Sequence, residues 1–393
     1  MEKITVGATN KHIHEDFAFV ILSKLPLKSL IRFCCVSKSW SLLLDNNYFM
    51  NMFRKNFLLK NHSYYNDTSL LLHYDASWNV DNPSNSGMHS LSGEGFENMV
   101  HLDWSNLFQE DEWLFNILGS TSINGFLCID CKQTGRVVLW NPTTEEYKVI
   151  PICHFSNESI VLHLCIHGFG FDSTSDDYKV IQHRVFSHDV DSEDATWKDI
   201  SPYSLWEIYS LKNNSWKTID IDMPTCYQDE VGVHAYMDDV CHWLGKSKTH
   251  GSTCEMYNEV YLVSFNLSTE MFVTTSLPSN MDGIDYKYLA VLNGSITLIS
   301  NNAETTTFQI SILGEVGRNE SWIKLFIFQS LSCIDRPIGV SKNGDIFFIQ
   351  NDEELAWINL STEKFEKLGV KGTFNCQVIS YKRSLVRIDR KSN

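Results

Sequence analysis

The chain has 393 residues, 43% of them hydrophobic, and carries 32 Lys and Arg against 48 Asp and Glu, a formal net charge of −16. This length favours two or three domains, and the acidic balance disfavours nucleic-acid binding, which needs clustered Lys and Arg. No apolar stretch approaches the roughly 20 residues that span a bilayer, and no signal-peptide core follows Met1, so we expect no membrane partner and a cytoplasmic and/or nuclear location. Eleven scattered cysteines fit reduced thiols in those compartments.

The charge is divided unevenly along the chain. Residues 1–60 hold nine Lys or Arg against four Asp or Glu, which leaves 23 positive and 44 negative side chains, a net of −21, for residues 61–393. We expect the acidic part to meet a basic or neutral partner, because attraction between opposite charges raises the rate of encounter. An acidic surface that only keeps the protein in solution is the alternative interpretation.

After a flexible start over residues 1–11, residues 12–55 contain three short helical patterns. Each pattern has apolar side chains at helical spacing on one face. The three sets are Phe17, Ile21 and Leu25; Leu27, Leu30, Ile31 and Cys34; and Trp40, Leu43 and Leu44. Pro26 can open the second helix, where its missing N–H would be unpaired in any case. Because so small a unit rarely sustains its own core, the apolar faces predict a docking surface; a helical cap folded onto the rest of the chain is the alternative.

This segment resembles the F-box of plant F-box proteins. The resemblance lies in the order LPLKSL over 25–30, RF at 32–33 and VSKSW over 36–40. It implies binding to the adaptor of SCF-type ubiquitin ligases, and through the adaptor to the cullin. Where the family opens with Leu-Pro-Glu-Asp, this chain has Ile13-His14-Glu15-Asp16, so the start of the first helix is less fixed. Together with the apolar faces, the resemblance predicts an adaptor-binding set of Phe17, Ile21, Leu25, Pro26, Leu30, Val36, Lys38 and Trp40.

Beyond a connector with first strands over 56–110, a repeat runs through residues 111–388. Turn signals that precede apolar strands recur at spacings of 52, 62, 55 and 50 residues. They are Asn124-Gly125, Asp176-Asp177, Asp238-Asp239, Asn293-Gly294 and Asn343-Gly344. Because Asn-Gly favours the positive φ values of tight hairpin turns, each site predicts a hairpin.

A second hairpin with its own signature follows in most repeats. An apolar strand residue and a polar turn are followed, seven residues on, by an aromatic side chain. These aromatic residues are Tyr147, Trp216, Phe272 and Phe365, with Trp322 after a longer loop. Two hairpins make a four-stranded sheet, and a period near 50 is typical of a kelch-like β-propeller blade. The sequence thus predicts a small all-α head followed by an all-β propeller of five blades, and leaves open whether 66–118, closed by a strand from 374–387, adds a sixth.

The β region also resembles the F-box-associated domain of plant F-box proteins, including the S-locus F-box group. The resemblance is carried by LWEIYSL over 205–211 and NLSTEMF over 266–272. It implies a substrate receptor for a target protein, which would then be ubiquitinated and degraded, with no catalysis and no cofactor of its own. Some S-locus members recognise basic ribonucleases, a kind of target that suits an acidic body.

Loops on a propeller can vary without disturbing the blades, so recognition is expected there. The segment 187–203 places five acidic residues and one Lys around Trp197. A Trp among charges is a plausible anchor for a partner; a disordered insertion with the Trp packed on the sheet is the alternative. The predicted substrate-binding residues are Asp189, Asp191, Glu193, Asp194 and Trp197.

Signals for a metal or a catalytic site are weak. His163, Cys165 and His167 would share one face of a strand, and Cys128 and Cys131 form a C-x-x-C, but no second such pair completes a zinc site. The hydrolase, zinc-protease and P-loop motifs are absent. We therefore expect neither metal nor catalytic residues, while a propeller enzyme or a scaffold acting outside the ligase stays as the alternative function. The arginines of the β region are scattered in sequence, which disfavours a phosphate-binding cluster unless folding gathers them.

Overall fold

The computed structural model describes most of the chain in two compact units, residues 1–60 and 61–393. The described residues are 15–59 apart from 26 and 37, then 68–74, 87–108, 112, 114–152, 159–188, 203–226, 233–246, 260–278, 286–302, 307–318, 321–328, 334–372 and 375–388. Within these ranges, no helix has both the length and the apolar content needed to cross a membrane.

The first unit is helical. Its elements are α1 (Glu15–Leu22), α2 (Leu27–Cys34), α3 (Lys38–Ser41), a 3-10 turn (Leu42–Asp45) and α4 (Asn47–Leu59). The prediction of three helices is wrong, since the described residues form four α-helices. The apolar stretch around Leu43 ends in the 3-10 turn, and the Asn46 side chain then accepts a hydrogen bond from the backbone N–H of Phe49 at 3.0 Å. A side-chain acceptor before the first turn is a helix start signal, and here it begins α4.

The fourth helix gives the helical unit a core of its own. Phe49, Phe53 and Phe57 recur every four residues on one face of α4 and are buried, with ring centroids 6.4 and 6.0 Å apart. Phe19 of α1 meets Phe49 edge to face at 5.9 Å, and Leu30 of α2 is fully buried. The helices therefore pack on each other, contrary to the expectation that the apolar faces had no partner within the segment.

The described residues of the second unit form groups of mainly four antiparallel strands, and the first and last groups are joined into one eight-stranded sheet by a single parallel pair, Gly339–Val378. We call these groups blades 1 to 6. Blade 2 contains β4 (Phe115–Ile117), β5 (Leu127–Cys131), β6 (Arg136–Asn141) and β7 (Glu146–Ile150). Blade 3 contains β8 (Ser159–Asp172), β9 (Asp177–His188), β10 (Tyr203–Ser210) and β11 (Ser215–Ile219).

Blade 4 has an inner strand in two pieces, β12 (Thr225–Cys226) and β13 (His234–Met237), which both pair with β14 (Val240–Lys246). It is completed by β15 (Val260–Asn266) and β16 (Met271–Ser276). Blade 5 contains β17 (Tyr286–Leu292), β18 (Ser295–Asn302), β19 (Thr307–Leu313) and β20 (Trp322–Phe328). Blade 6 contains β21 (Ile334–Val340), β22 (Asp345–Gln350), β23 (Glu354–Asn359) and β24 (Phe365–Lys371).

Blade 1 is built from both ends of the β unit, and it is the sixth blade that the sequence left open. Strands β1 (Thr68–Tyr74), β2 (Gly87–Ser92) and β3 (Asn98–Leu102) come from its start, and the fourth strand, β25 (Gln377–Lys382), comes from its end. β25 pairs antiparallel with β1 over six residue pairs, Thr68–Lys382 to His73–Gln377. The chain thus closes its ring of blades non-covalently, an arrangement that leaves only short, protected sheet edges.

The ring is continuous because each blade packs on the next. Buried clusters join blades 1 and 2, 2 and 3, 3 and 4, 4 and 5, and 6 and 1. Between blades 5 and 6, the Tyr288 hydroxyl donates to the Ile338 carbonyl at 3.3 Å, and the Phe308 and Phe348 rings lie 5.2 Å apart. Blades 1 and 2 are also joined by Gln377, whose side-chain amide bonds both backbone groups of Ile117 at 2.8 Å.

The predicted second hairpins are confirmed, with each aromatic residue at or near the start of an outer strand. Tyr147, Trp216, Phe272 and Phe365 lie directly opposite Trp140, Tyr209, Phe265 and Ile358, and Trp322 lies opposite Leu313. Cross-strand pairs of this kind stabilise antiparallel sheets and pin their register. The repeat seen in the sequence is therefore a packing unit, used once in each of blades 2 to 6.

Candidate functional site

The helical unit exposes an apolar face, which is the first candidate site. Phe17 and Ile21 project from α1 with 69% and 55% of their surfaces exposed, and Val36, between α2 and α3, is 76% exposed. Ala18 and Leu22 occupy the opposite face of α1 and are buried. The helix thus has two apolar faces, one used in the unit's own core and one open to a partner.

The other predicted adaptor-binding residues are placed differently. Leu25 and Trp40 are half-buried, and Trp40 meets the Phe33 ring edge to face at 5.7 Å. Leu30 is fully buried, so its side chain supports the exposed ones from within. Pro26 lies outside the described residues; Lys38 begins α3, but its side chain is outside what the structure describes.

Further apolar side chains of the same unit are exposed and were not among the predicted residues. They are Val20, Phe33, Leu42 and Tyr48, with exposed fractions between 41% and 71%. Phe33 belongs to the F-box-like motif itself, and its place in that motif is the sequence signal that could have included it. Val20, Leu42 and Tyr48 are not at the helical spacings that define the three apolar sets, so spacing alone does not identify them.

Two hydrogen bonds at the end of α1 fix the orientation of its exposed face. The buried Ser23 hydroxyl donates to the Val20 carbonyl at 3.0 Å, and the side-chain amide of Asn56 on α4 donates to the Ser23 hydroxyl at 2.8 Å. The last turn of α1 is therefore held on α4, so Ile21 is presented from a supported helix.

The second candidate site is a cavity of about 1330 Å³ at one end of the propeller. Its wall contains the turns that join the first two strands of blades 2 to 6, the same turns that the sequence predicts as hairpins. The lining includes Asn124, Asp176, Asp238, Asn293 and Lys342 from these turns. Four of them, all but Lys342, have positive φ between 50° and 52°, which Asn and Asp tolerate better than other residues with a Cβ.

The segment after β25 forms part of the same wall. Residues 383–388 cross the end of blade 2, where the Asn141 side-chain amide donates to the carbonyls of Ser384 and Val386 at 2.9 and 3.0 Å. Gly125, at φ 91°, lies beneath Ser384, whose Cβ would be 2.3 Å from any Cβ at that position. Only glycine allows so close a crossing, so the turn of blade 2 is shaped to receive the C-terminal segment.

The charge of this cavity is opposite to that of the unit that forms it. Six basic residues line it, against three acidic ones, although residues 61–393 carry a net charge of −21. The basic residues are Lys148, Lys212, Lys342, Lys382, Arg383 and Arg387. The acidic residues, Asp176, Asp177 and Asp238, lie at or next to the turns of blades 3 and 4, so all the basic residues except Lys212 lie toward blades 1, 2 and 6.

The predicted substrate-binding residues Asp189, Asp191, Glu193, Asp194 and Trp197 lie outside the described residues, so the acidic segment stays a prediction.

Of the candidate metal residues, Cys128, Cys131, Cys165 and His167 are buried within the blades, whereas His163 is exposed. Burial raises the pKa of Cys128 well above its ordinary value and that of Cys131 to about 12, so both remain thiols. Burial lowers the pKa of His167, which is therefore neutral. Among the described residues, no group of three or more His, Cys, Asp or Glu could hold a metal ion.

The described residues combine an exposed apolar face on a small helical unit with a six-bladed propeller that has a charged cavity, a combination typical of interaction proteins. Residues 14–51 match the F-box domain family, and residues 89–388 match the F-box associated beta propeller domain family. The chain belongs to the F-box proteins that carry an F-box associated β-propeller domain. The resemblance seen in the sequence is thereby confirmed for both regions.

Its relatives include several plant proteins. F-box protein CPR1 of Arabidopsis thaliana is 26% identical over 272 residues, which cover 64% of this chain and 63% of that protein. An F-box/kelch-repeat protein of Arabidopsis thaliana is 23% identical over 352 residues, 88% of this chain and 87% of that protein. Among solved structures, a chain of a nidogen/laminin complex matches 81% of this chain and 99% of its own length, with 8% identity and a TM-score of 0.41.

Proposed function

We propose that this chain is a substrate-recognition subunit of an SCF-type ubiquitin ligase. The F-box binds the adaptor, and through it the cullin, while the propeller holds a target protein for ubiquitination and degradation. F-box domains generally bind this adaptor, and the propeller joined to it supports a receptor role. The chain itself performs no bond chemistry in this mechanism, since catalysis comes from holding the target close to the ubiquitin-loaded enzyme.

The observation that carries the proposal is the exposed apolar face on α1 and beside α2. Phe17, Ile21 and Val36 are each more than half exposed, although the unit already has a buried core. A soluble protein rarely leaves large apolar side chains together in water without a partner. Helices that present such a face typically bind it in a hydrophobic groove, which is the kind of surface an adaptor would offer.

The test is the affinity of the full chain for the recombinant adaptor, measured with the double variant Phe17→Ala, Ile21→Ala. Because both side chains are largely exposed, their truncation leaves the helical core intact. Truncated anchor residues at the centre of an interface typically cost more than about 1 kcal/mol each. We therefore expect adaptor binding at least about tenfold weaker, measured by calorimetry.

The matched control is the double variant Met271→Ala, Val273→Ala on the outer strand of blade 4. These side chains are 66% and 46% exposed, so the control removes similar apolar surface from the propeller. It should bind the adaptor as the wild type does. Equal affinity of wild type and the Phe17 and Ile21 variant, or no adaptor binding by the wild type, would contradict the proposed function.

A further inference from the structure

We propose that the cavity at the turn end of the propeller, called here the basic mouth, binds an acidic segment of a target protein, with carboxylate or phosphorylated side chains as the recognised groups. The basic mouth is defined by Lys148, Lys212, Lys342, Lys382, Arg383 and Arg387. That its occupant is a ligase target rests on the proposed function; its preference for negative charge does not.

The first argument is local charge. The mouth holds six basic and three acidic residues in a unit whose net charge is −21. Asp177 is already engaged, because its carboxylate accepts hydrogen bonds from the Ser210 hydroxyl at 2.6 Å and the Lys212 backbone N–H at 2.8 Å. A concave surface with an excess of one sign of charge concentrates field lines and attracts groups of the opposite sign.

The second argument is how the basic side chains are assembled. Lys382 ends the closing strand β25, and Arg383 and Arg387 follow it in the segment that crosses blade 2. Lys342 reaches the same wall from the turn of blade 6. Strand closure and the Asn141 hydrogen bonds to residues 384 and 386 thus bring together cations that are distant in sequence.

The third argument is the effect of these cations on each other. Partial burial and the nearby Lys382 ammonium lower the pKa of Lys342. Two ammonium groups held close together repel each other, and an anion between them removes that repulsion. Lys212 donates to the Ser175 carbonyl at 2.9 Å, which fixes a further positive charge on the blade 3 side of the mouth.

The size of the cavity favours a peptide segment over a small metabolite. Its volume of about 1330 Å³ exceeds the roughly 300–1,000 Å³ of typical small-molecule sites. Phe171, Tyr178, Tyr236 and Met237 lie among its lining residues and can contact the apolar parts of a chain. The Tyr236 hydroxyl donates to the Phe171 carbonyl at 2.6 Å, so this side of the cavity is ordered in advance.

The basic mouth and the acidic segment 187–203 predict opposite charge preferences. A basic target was expected from the net charge of the whole unit, which governs encounter at long range. Charges beyond about 10 Å are screened at physiological salt, so contacts inside the mouth depend on the local residues.

The experiment measures binding of fluorescein-labelled decaglutamate to the full chain by anisotropy, with a phosphoserine-containing peptide and decalysine in parallel. The mouth variants are Lys342→Gln with Lys382→Gln, and Arg383→Gln with Arg387→Gln. The control, Lys324→Gln with Lys371→Gln, removes two exposed charges from outer strands of blades 5 and 6. We expect decaglutamate affinity to fall about tenfold in either mouth variant, to stay unchanged in the control, and to weaken with added salt.

The two anionic probes separate the two sources of charge. Tighter binding of the phosphoserine peptide supports recognition of phosphorylated segments, and tighter binding of decaglutamate supports recognition of carboxylates. The inference would be overturned if neither anionic peptide binds or if the chain prefers decalysine. It would also be overturned if the mouth and control variants lose the same affinity for decaglutamate. Arg383 and Arg387 are exposed, so at least that variant should unfold like the wild type.

Adaptor affinity is measured on the same samples. If the adaptor binds normally but no anionic peptide binds, only the inference about the basic mouth is overturned. Peptide binding without adaptor binding overturns the proposed ligase function and leaves the anion site standing.

Discussion

The helical and β units use apolar surface in opposite ways. Of the large apolar side chains exposed in the described chain, seven lie within residues 17–48 and nine in all of the described part of 61–393. The helical unit spreads its exposed residues over one short stretch, while the propeller buries its apolar residues between blades and lines its cavity with charges. Apolar faces suit one constant partner, because their energy comes from area excluded from water; charged, loop-built cavities can be altered without disturbing the core.

The comparison predicts that damage to one unit leaves the folding and binding of the other unchanged. The largest effect should come from removing the closing strand β25. A chain that ends at Gly372 lacks β25, so β1 loses the partner with which it pairs over six residues. Unpaired backbone groups and the exposed core between blades 6 and 1 should abolish cooperative unfolding of the β unit, followed by near-ultraviolet circular dichroism. Adaptor binding should persist in whatever fraction stays soluble.

The matched control for this truncation is a chain that ends at Ile388, which keeps β25 and the segment across blade 2. It should unfold like the full chain. An unchanged cooperative transition in the chain ending at Gly372 would contradict closure by β25, and loss of adaptor binding in its soluble fraction would contradict independent units.

A smaller effect is expected at a charged contact between blades 3 and 4. The buried Asp172 carboxylate accepts from the Lys179 ammonium at 2.8 Å and the Ser175 hydroxyl at 2.6 Å, and from the Ser268 hydroxyl of the neighbouring blade. Burial alone would raise the pKa of Asp172, but these three donors hold it well below its ordinary value. Asp172→Asn should lower the free energy of unfolding at pH 7 by about 3 kcal/mol, because Lys179 loses its buried partner.

The pH dependence of this effect has a defined sign. Because folding lowers the pKa of Asp172, its stabilisation is complete above the unfolded-state value of about 3.9 and is lost as the pH falls below it. The difference between wild type and Asp172→Asn, measured by urea unfolding, should therefore shrink between about pH 5 and pH 3. Asp222→Asn, at an exposed carboxylate, is the control; a difference that grows as the pH falls would refute the assignment.

The repeating parts of the propeller are predictable because each depends on neighbouring residues. Asn124-Gly125 and Asn293-Gly294 specify turns through their own φ values, and an aromatic residue such as Trp216 follows its cross-strand partner Tyr209 by seven residues. The sixth blade is not predictable in this way. Its strands β1 and β25 come from opposite ends of the β unit, and no local sequence pattern indicates that they pair.

The candidate sites are less predictable for the same reason. Helical spacing marks Leu30 and Ile21 alike as apolar stripe residues, but only the packing of the helices on each other decides that Leu30 is buried and Ile21 exposed. The basic mouth gathers Lys148 from blade 2, Lys342 from blade 6 and Arg387 from the segment after β25, so neither net charge nor a local run of residues reveals it.

The central claim is that one chain binds two partners through separate surfaces, and hydrogen–deuterium exchange of the full chain tests it most directly. With the adaptor bound, we expect slowed exchange within residues 15–45 and unchanged exchange over 87–388. With decaglutamate bound instead, slowed exchange should appear at the turns near 173–176, 211–214 and 342–344, with residues 15–45 unchanged. Protection of the same segments by both ligands, or adaptor protection on the blades, would contradict the account.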